Sequence, residues 1–308
     1  MERLRFDLVA VANNDFQELQ VAAARQTASR LNVDLKVLSI EYDAVTQSQT
    51  ILSELQAPPS ERPHAVIFEP VGTTLAKPAA LAASLGIGWA VLGREKVEYI
   101  PELRAQYHTP MICVSSSHYE IGCMQGQQLS KLVPHGGTVL YIEGPSTNEA
   151  AQKRAEGINA TKKKETTLRG MKGLWTETSG YNAVTSFLRV RNSNDTPISA
   201  VVAQNDAMAL GAYKAFQELT SGEDKKRYLS LPFLGCDGIP NVGQSAVQNG
   251  ELAATVVIPP NAAIAVEALA SALRKSMTPP EQIIADVASF PTLNALKPTA
   301  QAFAGSFA

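Results

Sequence analysis

The stretch AVVAQNDAMALGAYKAF, residues 200–216, begins as one element and ends as another. Ala200, Val201, Val202 and Ala203 form the short apolar run of a buried strand. From Ala207 onward, Met208, Leu210, Gly211, Tyr213 and Phe216 fall at the spacings of a packed helix. Gln204, Asn205 and Asp206 stand where the period changes. Asn and Asp both accept hydrogen bonds from the free N–H groups of a helix's first turn, so either can cap this one. A cap accounts for one of the two and leaves the other spare.

The same alternation runs along the whole chain. Strand candidates are FDLVAVA, DLKVLSI, AVIFEP, GWAVLG, MICVSS, TVLYIEG, GLWTET, AVVAQ, PFLGCDG and AATVVIP. Amphipathic stretches such as FQELQVAAARQTASRL, EIGCMQGQQLSKLV and NEAAQKRAEGINATKK lie between them. Strands alternating with helices predict an α/β fold, with parallel sheets covered by helices on both faces. So many strands divide more naturally into two sheets than one, and a break falls near Ser115–Glu120, after which the pattern starts afresh. Past Pro259 and Pro260 an Ala-rich helix is expected to about Lys275, stopped by Pro279 and Pro280. The stretch from Asp286 is poorly periodic.

With 45% hydrophobic and 18% charged residues, the 308-residue chain reads as globular, with length for about two domains. A net charge of −2 and scattered Lys and Arg give no nucleic-acid footprint. The cysteines, Cys113, Cys123 and Cys236, sit in apolar settings without a CxxC pair and read as buried free thiols. No run of eighteen apolar residues would insert in a membrane. MERLRFDLVAVANN passes directly into a strand-like run, so the expectation is a cytoplasmic chain, or a secreted one whose leader has been removed.

In open α/β sheets, ligands bind beyond the carboxyl ends of the strands, so the residues following each apolar run are the candidates. They are Asn13, Asn14, Asp15 and Phe16; Glu69 and Pro70; Arg94; Ser116, Ser117 and His118; Thr176 and Glu177; Gln204, Asn205 and Asp206; and Asp237. Arg154 lies about two turns into the helix after TVLYIEG and points back toward the same end if Asn148 caps it. Amides, carboxylates and guanidinium groups suit a neutral ligand rich in hydroxyls. Phe16 and Trp175 could lie against the apolar face of a sugar ring.

QNDAMALGA and DGIPN…NGELAAT resemble segments of the type I, or ribose-type, periplasmic sugar-binding proteins. NEAAQKRAEGI resembles the helix carrying their ligand-binding Arg, and VANNDFQELQVAAARQTASRLNVDL resembles their first strand and helix. The similarity runs over nearly the whole chain. It implies two Rossmann-like lobes, 1–116 with 259–280 and 117–258 with 281–308, joined by three crossings. A sugar or polyol would be held in the hinge cleft by closure, with no chemistry performed and no cofactor or metal. By motif, Asn14, Phe16 and Arg94 would bind from the first lobe, and Arg154, Trp175, Asn205 and Asp237 from the second. Asp206 would then cap its helix while Asn205 faces the cleft. The resemblance also implies a periplasmic monomer serving an ABC-transporter permease.

Two departures stand out. Gly93 falls where the family often has Asp, and Ile258 where it often has a polar residue; both remove hydrogen-bonding capacity, pointing away from ribose itself. Glu177 and His118 are expected to compensate, and Ser117 with His118 either touches ligand or forms a crossing. Two other classes were weighed. A lactose-repressor-like effector domain would carry a helix-turn-helix ahead of the first strand, where only about five residues stand, leaving a cytoplasmic sugar sensor acting through a protein partner. An enzyme is disfavoured: no phosphate-binding loop, dinucleotide fingerprint or nucleophile elbow appears, and the four histidines have no metal-like spacing.

Overall fold

A computed structural model describes residues 3–11, 14–72, 75–190, 197–275 and 277–298. In chain order the elements are β1 (Leu4–Val11), α1 (Asp15–Arg30), β2 (Val33–Ile40), α2 (Ala44–Leu55), β3 (Ala65–Phe68), α3 (Ala76–Ser84), β4 (Gly88–Leu92), α4 (Ile100–Tyr107) and β5 (Met111–Ser115). Then come α5 (His118–Leu132), β6 (Gly137–Glu143), α6 (Glu149–Thr161), β7 (Thr166–Lys172), α7 (Glu177–Val190), β8 (Ile198–Ala203), α8 (Asp206–Gln217) and α9 (Gly222–Leu229). The chain ends with β9 (Phe233–Leu234), α10 (Ser245–Gln248), β10 (Thr255–Val257), α11 (Asn261–Lys275), β11 (Gln282–Ile284) and β12 (Ala288–Phe290). These group into two compact units, and the chain passes between them after Ser116, Ile258 and Ala285.

The first unit holds a six-stranded sheet, ordered β11-β5-β4-β3-β1-β2 and parallel throughout. AVIF and GWAVL are buried at every position, as strands covered on both faces must be. Alternate side chains feed two cores. Val9, Val66, Phe68, Trp89 and Val91 pack with Ile51, Leu55, Ala79 and Ile100 of the helices on one face. Phe6, Leu8, Ile67, Ala90 and Ile112 pack with Ala24 of α1 and Ala262, Val266 and Leu269 of α11 on the other.

The second unit holds a parallel sheet ordered β7-β6-β8-β9 and an antiparallel pair, β10 with β12. Leu140, Ile142, Val201 and Phe233 face Val184, Phe187, Met208 and Phe216. Tyr141, Ala200 and Val202 face Leu129, Leu132 and Ile158. Both units are thus α/β layers of the predicted kind.

Three local expectations change. GLWTET is no strand: β7 is TTLRGMK just before it, and Trp175 takes φ 64 in the turn that follows. β11 pairs with β5 over Cys113–Ser115, so residues 281–285 group with the first unit and not the second. Within the poorly periodic tail, β12 pairs with β10. Asn13 and residues 299–308 lie outside the described residues.

One buried group in the first unit gives a stability test. Asp7 in β1 is 4% exposed, and its Oδ2 has no hydrogen-bond partner among the described residues. Burial, with the Glu54 carboxylate adding to it and Lys36 opposing, pushes its carboxyl up to about 6. Because this lies above the unfolded value, the folded state holds the proton more tightly. Stability attributable to Asp7 therefore falls as pH rises from about 4 to about 6 and stays low above that. Asp7→Asn is expected to raise stability at pH 8 by about 1–3 kcal/mol and to change little at pH 4. Melting curves of both proteins across that range check it; an equal effect at both ends would refute the assignment.

Candidate functional site

In each sheet the strand order reverses at one place, and the carboxyl ends of the strands flanking such a switch point form the usual ligand crevice of open α/β sheets. In the first unit the switch lies between β1 and β3. Asn14, just before α1, caps that helix by accepting from the Gln17 N–H at 2.8 Å. Phe16 is half-buried in the same turn. The Gln17 side chain crosses the switch point and donates from Nε2 to Oε2 of Glu69, which follows β3, at 2.5 Å. The Glu69 backbone is fixed as well. Fully buried Gln47 of α2 donates to the Glu69 carbonyl at 2.7 Å and accepts from the Val71 N–H at 2.9 Å. After β4, Gly93 takes φ 66, and a Cβ there would stand 3.1 Å from Glu69 Oε1. Half-buried Arg94 comes next.

In the second unit the switch lies between β6 and β8. Gln204 is fully buried and bridges it: Oε1 accepts from the Gly144 N–H at 2.8 Å, and Nε2 donates to the Tyr141 hydroxyl at 2.7 Å and the Ala151 carbonyl at 2.8 Å. Asn148 caps α6 through its side chain, as the sequence suggests. Arg154, two turns on, is 6% exposed. Its Nη1 donates to the Gln204 carbonyl, its Cζ stands 5.4 Å from the centroid of the Trp175 ring, and its Nε finds no acceptor among the described residues. The indole lies against Gly144.

Of the two polar residues of the opening stretch, Asn205 and not Asp206 caps the helix. Asn205 is the cap: its backbone is extended, and its Oδ1 accepts from the Met208 N–H at 3.0 Å. Its Nδ2 donates to the Trp175 carbonyl at 2.9 Å, which ties the cap to the aromatic turn. Asp206 turns inward and is fully buried; Oδ2 accepts from the Gly238 N–H at 2.8 Å and Oδ1 from the Thr255 hydroxyl at 2.7 Å. Burial first, and the Asp237 carboxylate second, raise the Asp206 carboxyl well above the usual range. Asp237 itself is half-buried at φ 103, pinned by backbone bonds to Val256 and Ile258. Conformations of this kind in a non-glycine residue cost about 1–3 kcal/mol and gather at functional sites.

Arg154, Trp175 and Asn205 are therefore brought together, and Asp237 neighbours Asp206 beside them. Other candidates go elsewhere. Glu177 is exposed and pairs its Oε1 with Lys214 Nζ at 3.2 Å, not with Arg154 or Trp175. Ser117 caps α5, accepting from the Glu120 N–H at 3.4 Å, with His118 the first residue of that helix. Ile258 is buried. Gln17 lies outside the candidates read from the sequence, and Gln204 stands among them only as one of three polar residues at its join. Their spacing alone gives no signal, since each acts on a distant strand. Among the described residues no group of three or more His, Cys, Asp or Glu side chains could hold a metal ion, and no helix is long and apolar enough to cross a membrane.

Two α/β units, each with polar and aromatic side chains at its switch point, define a ligand-binding protein. Residues 8–276 match the periplasmic binding protein domain family, and the chain belongs to that family. It is similar to the ribose import binding protein RbsB of Salmonella typhimurium, with 31% identity over 145 residues, 46% of this chain and 45% of that one. That match spans about half the length of the relative. Its fold is that of an ABC transporter periplasmic solute binding protein from Actinobacillus succinogenes with bound D-allose (TM-score 0.78, 18% identity, 93% of this chain and 97% of that one). The periplasmic binding component of the arabinose ABC transporter from Shewanella sp. ANA-3, bound to L-arabinofuranose, is also similar (TM-score 0.76, 23% identity, 94% and 93% covered).

Proposed function

We propose that this protein is the solute receptor of an ABC-type importer, acting in the periplasm as a monomer and capturing one small sugar or polyol without transforming it. The observation that carries the reading is Arg154: a buried guanidinium laid over Trp175, with Nε unspent, at the switch point of its sheet. An Arg so placed offers planar, charge-assisted donors to ligand hydroxyls or a ring oxygen, and the indole offers an apolar face to the ring. Asn205 and Asp237 would add an amide and an acceptor. Asn14, Phe16 and Arg94 would engage the same ligand from the first unit, so that binding favours a closed hinge. Ser117 is given the capping role alone, and Glu177 is left out of the set. The family relatives favour this over a cytoplasmic sensor or a repressor-like regulator.

A thermal-shift screen tests the proposal, with D-ribose, D-xylose, L-arabinose, D-allose, D-glucose, xylitol, myo-inositol and, as an anionic control, D-ribose 5-phosphate. A ligand at 100 times its Kd adds about 2.7 kcal/mol. In a chain of this size that is expected to raise Tm by about 4 °C for one or a few neutral members. No shift with a well-folded sample, or turnover of any member, would overturn the reading.

A further inference from the structure

We infer that Glu69 is the ligand-binding carboxylate of the first unit, delivered from the end of β3 into the space that a side chain at position 93 would otherwise fill. This rests on the receptor reading and adds a residue to it.

Three observations carry it. First, Glu69 follows β3 at the β1/β3 switch point, where Asn14 and Phe16 also emerge. Second, it is held at both ends: Gln47 fixes its carbonyl and Gln17 fixes its Oε2. A half-buried carboxylate with its backbone and head group both set by amides is preorganised, and preorganisation is what reduces the ordering cost of binding. Third, its Oε1 lies 3.1 Å from where a Cβ of residue 93 would stand, and that residue is glycine. The carboxylate and the missing side chain are complementary: any larger residue at 93 would compete for the place Glu69 occupies. Arg94 follows immediately, so this edge presents an acceptor beside a donor. A carboxylate has two oxygens and about four acceptor sites. With the neighbouring Arg94 supplying donors, that inventory suits the adjacent hydroxyls of a neutral sugar or polyol, each of which both donates and accepts.

The test is isothermal titration with whichever panel sugar or polyol binds the parent most tightly. Glu69→Gln keeps the shape and removes the charge; it is expected to weaken binding by about 10- to 100-fold, as loss of charge-assisted hydrogen bonds does. Gln17→Leu removes that amide tether without removing the carboxylate and should weaken binding by a smaller factor. The decisive comparison relocates the group. Gly93→Asp alone crowds two carboxylates and should weaken binding, whereas Glu69→Ala with Gly93→Asp should bind more tightly than Glu69→Ala alone. Asp is among the few residues that enter the left-handed conformation of position 93 at modest cost. Melting curves report whether each variant folds. If Glu69→Gln binds like the parent, or the double variant binds no better than Glu69→Ala, the assignment is wrong while the receptor reading stands. If the folded parent binds no member of the panel, both fall.

Discussion

Arg154→Met is expected to weaken sugar capture by about 10²–10⁴-fold and to leave the second unit folded. Hydrogen bonds to a charged group are worth about 1.5–3 kcal/mol each, and two of them convert to that range of affinity. The fold should survive because the substitution removes an expensive group and keeps its shape. Arg154 is 6% exposed, its Nε lacks an acceptor, and no carboxylate forms an ion pair with it among the described residues. A buried charge held this way costs stability in the unliganded protein. Methionine fills the volume of the stem and keeps a polarisable contact with Trp175. Titration calorimetry and melting curves are the two readouts. Affinity within about threefold of the parent, a difference of well under 1 kcal/mol, would remove Arg154 from the site.

Gly157→Ala is expected to cost about 3 kcal/mol, lowering Tm by several degrees, and to impair binding as well. Where α5 and α6 cross, each presents a glycine to the other. A Cβ on Gly157 would lie 2.1 Å from the Tyr119 carbonyl oxygen, and one on Gly122 would lie 2.1 Å from that of Arg154. These are backbone atoms of two helices and cannot step aside singly. The helices must separate, and α6 carries Arg154 with it. The gain in helix propensity from Gly to Ala, about 1 kcal/mol, does not offset this. Thermal denaturation and ligand titration of the variant give the answer. A variant as stable as the parent would mean that the crossing is looser than its geometry indicates.

The sequence made some of this legible and hid the rest for identifiable reasons. Strands buried on both faces announce themselves, because AVIF and GWAVL have no polar position. β7 does not: it is an edge strand, TTLRGMK, with only its first residue fully buried, and so the eye moves to Leu174 and Trp175 beyond it. β11 is a three-residue edge strand recruited across a long gap in sequence. For the site, the place of Arg154 two turns into a helix capped by Asn148 is legible in the sequence, whereas that of Trp175 is not, since GLWTET reads as a strand and forms a turn. The division of labour between Asn205 and Asp206 is not legible either. Both are good caps by local chemistry, and only Gly238 and Thr255, brought in by other elements, turn Asp206 inward. The Gln17–Glu69 bond is hidden likewise, because it joins residues that only the β1/β3 pairing makes neighbours.

The passage of α11 and β11 back to the first unit sets when that unit can complete its core during synthesis. Leu4, Phe6, Leu8 and Ile67 are covered on one face by Ala262, Val266 and Leu269 of α11, and β5 gains its outer neighbour only from β11. Residues up to Ser116 therefore emerge with an apolar face that α1 covers only in part, and the rest of its cover is made roughly 160 residues later, a delay of about 10–30 s at ordinary synthesis rates. The four-stranded sheet of the second unit, by contrast, is encoded without interruption. For this chain the N-terminal half is the part that waits, and it is the part a chaperone would have most reason to hold.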